Sequence, residues 1–335
     1  MLINPRFLCF FSLLMLSLMI VVSSNSWFSA WIGLELNLLS FIPIVMTKNN
    51  QQLTEAGLKY FLIQALASVI FMLSALFSLF CFNESSHSII VILMMSLLLK
   101  LGASPFHMWF PIVAEGLSWN KFFILATTQK INPLLLLSTM PLAHNKFILL
   151  IAILSGIVGG LGGFNLNLLR SMMAFSSINH IGWLLFASLI NNSLMWIYFF
   201  VYTIILFSVA QLFSLYQLTS MTQINSNHSL NPVIKLLFFF NMFSLGGLPP
   251  FLGFLPKWLI IKNTSAMVMI TSLMVLILST LITLYYYLRI SFNSNLLYSK
   301  ITWSKKLNFK LTPPAILLSF ISIFGLFLCN WFYLV

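Results

Sequence analysis

No aspartate occurs in this chain of 335 residues, and its acidic residues are four glutamates, Glu35, Glu55, Glu84 and Glu115. Charged residues of both signs make up 6% of the sequence, where a soluble globular domain carries about 25%. No polar stretch of several tens of residues interrupts the chain, which excludes a soluble domain large enough to hold a nucleotide or a redox cofactor. Cysteine is also scarce. Cys9, Cys81 and Cys329 stand alone in apolar segments, without CxxC or Cys/His spacing, so neither a disulfide framework nor a metal site is expected. They read as small buried hydrophobes. There is no glycine-rich nucleotide loop after a strand, no Fe–S cysteine set and no haem ligand pair.

What is abundant is apolar surface: 60% hydrophobic residues and a mean hydropathy of +1.03, the composition of an all-α integral membrane protein forming one membrane domain, 1–335. Runs of about 20 apolar residues cross a hydrocarbon core of about 30 Å as helices. Eleven such transmembrane helices are expected, over 6–23, 27–46, 56–82, 88–112, 121–141, 147–164, 170–190, 193–217, 233–262, 265–290 and 312–334. The first run follows a basic residue but precedes no Ala-x-Ala cleavage site, so it reads as a span rather than a signal peptide.

The net charge of +12 is explained by topology better than by nucleic acid, because the basic residues are spread over short loops. With the N-terminus inside, Arg6, Lys48, Lys59, Lys121, Arg170, Lys235, Arg289, Lys300, Lys305, Lys306 and Lys310 fall on the inner side, and Lys146 and Lys262 on the outer. Eleven against two supports an odd number of spans, a basic inner loop at 291–311 and an outer C-terminus.

Two of the expected spans are interrupted. The fourth contains Lys100-Leu-Gly102-Ala-Ser-Pro105-Phe106, and the ninth Leu245-Gly246-Gly247-Leu-Pro249-Pro250-Phe251 with Lys257 beyond. Proline removes an intrahelical hydrogen bond, and freed backbone groups are tolerated at membrane depth only where protein or water satisfies them. Discontinuous helices at corresponding places in two halves are a sign of repeat-built transporters. Five spans over 6–141 and five over 147–290, each set broken in its fourth member, predict two inverted repeats followed by one C-terminal helix, 312–334.

Charge inside these spans selects the candidate site. A carboxylate near the bilayer centre costs roughly 2.5–3.5 kcal/mol on insertion scales, yet Glu35 lies mid-span. Lys100, Lys130 and Lys257 are also within spans. Desolvation brings the neutral form of a lysine within reach and a nearby carboxylate favours the charged form, so such residues can exchange protons. The expected relay pairs Glu35 with Lys100, passes through Lys130 and leaves by Lys257. His180, in the polar run Ser176-Ser-Ile-Asn-His180-Ile-Gly182, is either a further relay member or a helix–helix hydrogen-bond partner. Glu55, Glu84, His87, His144 and His228 fall near loops, and Glu115 reads as lateral and interfacial.

At these residues the chain resembles the chain 2 family of mitochondrial NADH:ubiquinone oxidoreductase, respiratory complex I, in its animal form. The matching stretches are Trp31-Ile-Gly-Leu-Glu35-Leu-Asn-Leu-Leu-Ser-Phe-Ile-Pro43, Lys100-Leu-Gly-Ala-Ser-Pro-Phe-His107-Met-Trp-Phe-Pro111, Gln129-Lys130-Ile-Asn-Pro133, Ser176 to Trp183, and Gly246-Gly-Leu-Pro-Pro-Phe-Leu-Gly-Phe-Leu-Pro-Lys257-Trp258. The resemblance implies an antiporter-like subunit of the membrane arm, with Glu35 and Lys100 as the family's Glu/Lys pair, Lys130 its central lysine and Lys257 its exit-side residue. It implies proton movement from matrix to intermembrane space, driven by redox chemistry elsewhere, in the mitochondrial inner membrane with the N-terminus in the matrix. NADH, FMN, Fe–S clusters and ubiquinone are then expected in partner subunits, with no cofactor or metal in this chain. Neighbouring antiporter-like chains and phospholipids such as cardiolipin are the expected partners, and nucleic acid is not. Thr128 replaces the family's usual Trp before Gln-Lys, and Ile112 stands where an acidic residue often follows the proline. Thirty-four phenylalanines, 17 methionines and no aspartate fit coding by an AT-rich organelle genome, for which no presequence is expected. The alternative reading is a stand-alone cation/proton antiporter, and a third is a scaffold without transport.

Overall fold

The computed structural model describes residues 5–46, 51–80, 86–140, 145–226, 232–264 and 267–296, together with 319, 320, 322, 323 and 325. Residues 5–296 of these form fourteen helices, the last five are also helical, and no strand occurs among the described residues. The chain divides into two compact units, Met1–Phe147 and Ile148–Val335.

The first unit holds α1 (Pro5–Val22), α2 (Trp27–Val45), α3 (Gln51–Phe80), α4 (Ser86–Leu101), α5 (Trp109–Gly116), α6 (Trp119–Ala126) and α7 (Thr128–Ser138). Ser26 starts α2 through a capping box with Ser29. Hydroxyls inside these helices, such as Ser74 and Ser96, bond back to the carbonyl three residues earlier, at 2.8 and 2.6 Å. They thereby satisfy themselves without water. Helix α3 packs on α2, α4 and α5, and α7 packs on α1, α2 and α4, so that α2, α3, α4 and α7 surround a common interior.

The second unit contains α8 (Asn145–Gly162), which starts just before the division, α9 (Leu169–Ile190), α10 (Asn192–Leu215), α11 (Met221–Ser226), α12 (Pro232–Gly246), α13 (Phe254–Asn263) and α14 (Met267–Leu296). Asn191 closes α9 and caps α10, its side chain accepting from the Ser193 amide at 3.1 Å. Helix α9 is buried along most of its length and packs on α10, α13 and α14.

Among the described residues six helices are long and apolar enough to cross a membrane, α1, α2, α3, α9, α10 and α14, and the apolar stretches Ser88–Leu101 of α4, Lys146–Gly162 of α8 and Leu236–Gly246 of α12 are shorter. Three expectations change. The stretch 121–141, expected as one span, is two short helices that part at Thr127. Residues 291–296, expected in a loop, continue α14. Cys9, expected to be buried, is exposed on α1, because that helix covers little more than α2 and α7 and leaves its other faces open. Cys81, Cys329, Glu84, His144, His228 and most of 297–335 lie outside the described residues.

Candidate functional site

The two interruptions have the same backbone. Helix α4 ends at Leu101, and Gly102 follows with φ +73°; α12 ends at Gly246, and Gly247 follows with φ +76°. Each glycine closes a Schellman motif: Gly102 N–H bonds Leu99 O at 3.1 Å and Ala103 N–H bonds Leu98 O at 3.1 Å, while Gly247 bonds Ser244 at 3.1 Å and Leu248 bonds Phe243 at 3.3 Å. A side chain at either position would face the left-handed penalty, which is why glycine stands there. Residues 102–108 and 247–253 then form gaps of seven residues, containing Pro105 in one and Pro249 and Pro250 in the other, before α5 and α13 resume. Ser104–Pro105 and Pro249–Pro250 are cis.

A helix that stops inside a protein leaves its last carbonyls without intrahelical donors. At the first break, Trp109 Nε1 donates to Leu99 O at 3.1 Å and Gln64 Nε2 to Lys100 O at 3.3 Å. At the second, Lys257 Nζ reaches back from α13 to donate to Gly246 O at 2.7 Å. A cation at a helix C-terminus is favoured by the aligned peptide dipoles as well as by the hydrogen bond. The missing side chain of Gly247 makes the reach possible, since a Cβ there would lie 2.9 Å from both Cδ and Nζ of Lys257.

Lys100 is 6% exposed and its Nζ is enclosed without a hydrogen-bond partner. Glu35, on α2, is half-buried with Oε2 enclosed and likewise unpartnered. The expected direct pair is not formed. The one ion pair among the described residues is Lys59–Glu55 at 3.8 Å, a largely exposed (i, i+4) contact of little energetic weight. Lys100 and Tyr60 line one small cavity of the first unit. Lys130, 2% exposed, places its Nζ 5.0 Å from the centre of the Phe110 ring, so a residue of α7 faces α5 just beyond the first break. Lys257 similarly lies 5.7 Å from the Trp183 ring. Cation–π contacts of this kind contribute about 0.5–2 kcal/mol, more as water is excluded.

His180 does not stand alone. Its Nδ1 is 2.8 Å from Tyr198 Oη, its ring lies 4.8 Å from that of Tyr202, and a small cavity beside it is bounded by Ser244, Leu245, Gly253 and Pro256 of the second break. His180 and Lys257 thus border the same interruption within the second unit. Glu115, Glu55 and Lys146 are exposed, and Lys121 caps α2 by donating to Val45 O at 3.0 Å. A larger cavity of about 620 Å³, walled by Trp27, Phe28, Met72 and Leu76 among others, contains no charged residue and is not the site.

Some of the site was missed in the sequence. Tyr60 donates to Gln129 Oε1 at 2.9 Å, holding α7 near its discontinuity. Tyr60 and Gln64 are polar residues four apart in an apolar helix, which in the sequence marks one shared interior face. The parting at Thr127 also had a signal in Thr127-Thr128 ahead of Pro133. Thr127 bonds back to Phe123 O at 2.7 Å and Thr128 to Ile124 O at 3.0 Å, which bends a helix. No group of His, Cys or Glu able to hold a metal occurs among the described residues.

Broken helices that enclose lysines and a carboxylate, in a chain of apolar helices, define an integral membrane protein built in the manner of ion-translocating bundles. The family described as NADH:quinone oxidoreductase/Mrp antiporter, transmembrane, matches residues 24–283, and this chain belongs to it. It is 47% identical over 335 residues to NADH-ubiquinone oxidoreductase chain 2 of Anopheles gambiae, with 97% of each chain covered. It is 36% identical over 331 residues to that of Locusta migratoria, with 96% of each covered. In fold it resembles a chain of respiratory complex I from Thermus thermophilus, with a TM-score of 0.79, 23% identity and coverage of 96% of this chain and 79% of the other. It also resembles a chain of the Mrp complex from a Dietzia species, with a TM-score of 0.79, 14% identity and coverage of 96% and 74%.

Proposed function

We propose that this chain is a proton-translocating subunit of the membrane arm of a respiratory NADH:ubiquinone oxidoreductase. The observation that carries the proposal is the burial of Lys100, Lys130 and Lys257 around three helix discontinuities, with Glu35 on an adjacent helix. Enclosed ammonium groups are costly unless a function retains them, and the family and the relatives' names supply the reaction to which proton movement is coupled. In this reading Glu35, Lys100 and Lys130 form the relay of the first unit, and Lys257 with His180 that of the second. Protons move from the matrix to the intermembrane space, with the N-terminus in the matrix.

The shared backbone of the two breaks supports two inverted repeats, 6–141 and 147–290, within a bundle of eleven spans. NADH, FMN, Fe–S clusters and quinone belong to partner subunits, and this chain carries no redox chemistry of its own. Neighbouring antiporter-like chains and inner-membrane phospholipids, cardiolipin among them, surround it. The test is Lys100→Met in the intact complex: assembly persists and proton translocation linked to NADH oxidation is lost. Full translocation by the assembled variant would end the assignment. The Mrp component of the family description favours a second reading, an autonomous cation/proton antiporter. The purified chain, reconstituted alone, exchanges cations under that reading and not under the first.

A further inference from the structure

In the first unit, Asn37 on α2, Tyr60 and Gln64 on α3, Lys100 on α4 and Gln129 and Pro133 on α7 line one small space, together with Leu34 and Leu38. Three of these side chains carry an enclosed polar atom with no hydrogen-bond partner: Asn37 Oδ1, Lys100 Nζ and Gln129 Nε2. Their residues are 4%, 6% and 8% exposed. Leaving such atoms unsatisfied costs about 1–3 kcal/mol each, and more for a charged group. Three together on one cavity wall call for an occupant. The space is about 10 Å³, and a single water needs about 10–15 Å³ of such volume and two to four polar partners.

We propose that Asn37, Lys100 and Gln129 hold one water molecule in this cavity, and that Tyr60 is the positioning residue that orients Gln129 for it. The hydrogen-bond chemistry fits without remainder among the three. Lys100 Nζ and Gln129 Nε2 are donors to the water oxygen, and Asn37 Oδ1 is an acceptor for one of its protons. The second water proton stays available to another acceptor. Hydrocarbon could fill the space but would leave all three atoms unsatisfied.

The role of Tyr60 follows from the two ends of an amide. Its hydroxyl donates to Gln129 Oε1 at 2.9 Å, which engages the oxygen and leaves Nε2 as the end of the amide with a donor to spare. Tyr60 is itself held by Phe41 and Trp109, with ring centroids at 5.1 and 5.8 Å. Gln64 is already engaged with Lys100 O and serves as wall. The inference rests on the relay reading in one respect: the water matters to function because it is the contact that Lys100 makes on this side.

The experiment uses the intact respiratory complex containing this chain. A map resolving ordered water shows one molecule within hydrogen-bond distance of Lys100 Nζ, Asn37 Oδ1 and Gln129 Nε2; a map in which protein atoms close the space overturns the site. Tyr60→Phe, normalised to assembled complex, lowers protons translocated per NADH oxidised and alters the pH profile of coupled turnover, which a packing defect alone does not do. Asn37→Leu, similar in size but unable to accept, gives the same two changes by a different route. If both variants keep wild-type stoichiometry and pH profile while Lys100→Met abolishes translocation, the positioning role falls and the relay stands. If Lys100→Met translocates fully, the relay falls and the map alone decides the water.

Discussion

The two helix breaks share a backbone but not a way of satisfying it. Counting from the glycines, Lys100 stands two residues before Gly102, where the second break has Leu245, and Lys257 stands ten residues after Gly247, where the first has Ile112. Each half therefore carries its lysine on the opposite side of the gap. At the first break neutral donors from Gln64 and Trp109 take the end carbonyls, which leaves the ammonium of Lys100 uncommitted. At the second, Lys257 is itself the donor, so its charge and the geometry of the break are bound together. The same fold feature thus yields one lysine that is poised and one that is latched.

The comparison breaks most completely at Gly253, where a Cβ would run into the Ser244 carbonyl oxygen, a backbone atom that cannot turn away. Gly253→Ala is expected to prevent assembly, seen as loss of the complex in native electrophoresis. Exchanging each lysine for methionine separates the two halves more finely. Lys257→Met leaves the Gly246 carbonyl without its donor and lowers stability by about 1–3 kcal/mol. Lys100→Met removes an enclosed amine to which no protein group is hydrogen-bonded and lowers stability less. Thermal unfolding of the two purified complexes checks the order, and a larger loss for Lys100→Met would contradict the distinction.

Gly247→Ala and Gly102→Ala share a conformational penalty of about 1–2 kcal/mol. The first also unseats Lys257, whereas the second presses only on Phe110 and Trp109 at 3.3 Å. Proton stoichiometry per assembled complex should fall further for Gly247→Ala. The smallest effect is expected for Trp109→Phe, which removes one indole donor to Leu99 O at a cost of about 1 kcal/mol and leaves every lysine in place. A modest drop in melting temperature, with a fall in stoichiometry smaller than that of Gly247→Ala, is the expected outcome.

Much of this was legible in the chain itself, for reasons that differ by residue. Gly102, Pro105, Gly247 and Pro250 announce interruptions because their backbone constraints are local and travel with the residue type. Glu35 and Lys130 stand out because a charge in an apolar run is conspicuous at any register. The pairing of Glu35 with Lys100 could not be read in this way and is not made. No ion pair joins them, and the packing of α2 and α4 runs through α3, which packs on both and carries Tyr60 and Gln64, rather than through anything in either helix's own sequence.

The sequence by itself determined the solvent in which the chain folds, the helical class, the two glycine-led interruptions and the identity of the charges inside, since all of these depend on composition and near neighbours. Only the tertiary structure decided the Tyr198 partner of His180, the donor that satisfies each break and the convergence of Asn37, Lys100 and Gln129 on one cavity. Those features are made by side chains that meet from different helices, and no pattern along a single helix records where a neighbour will place its hydrogen bonds.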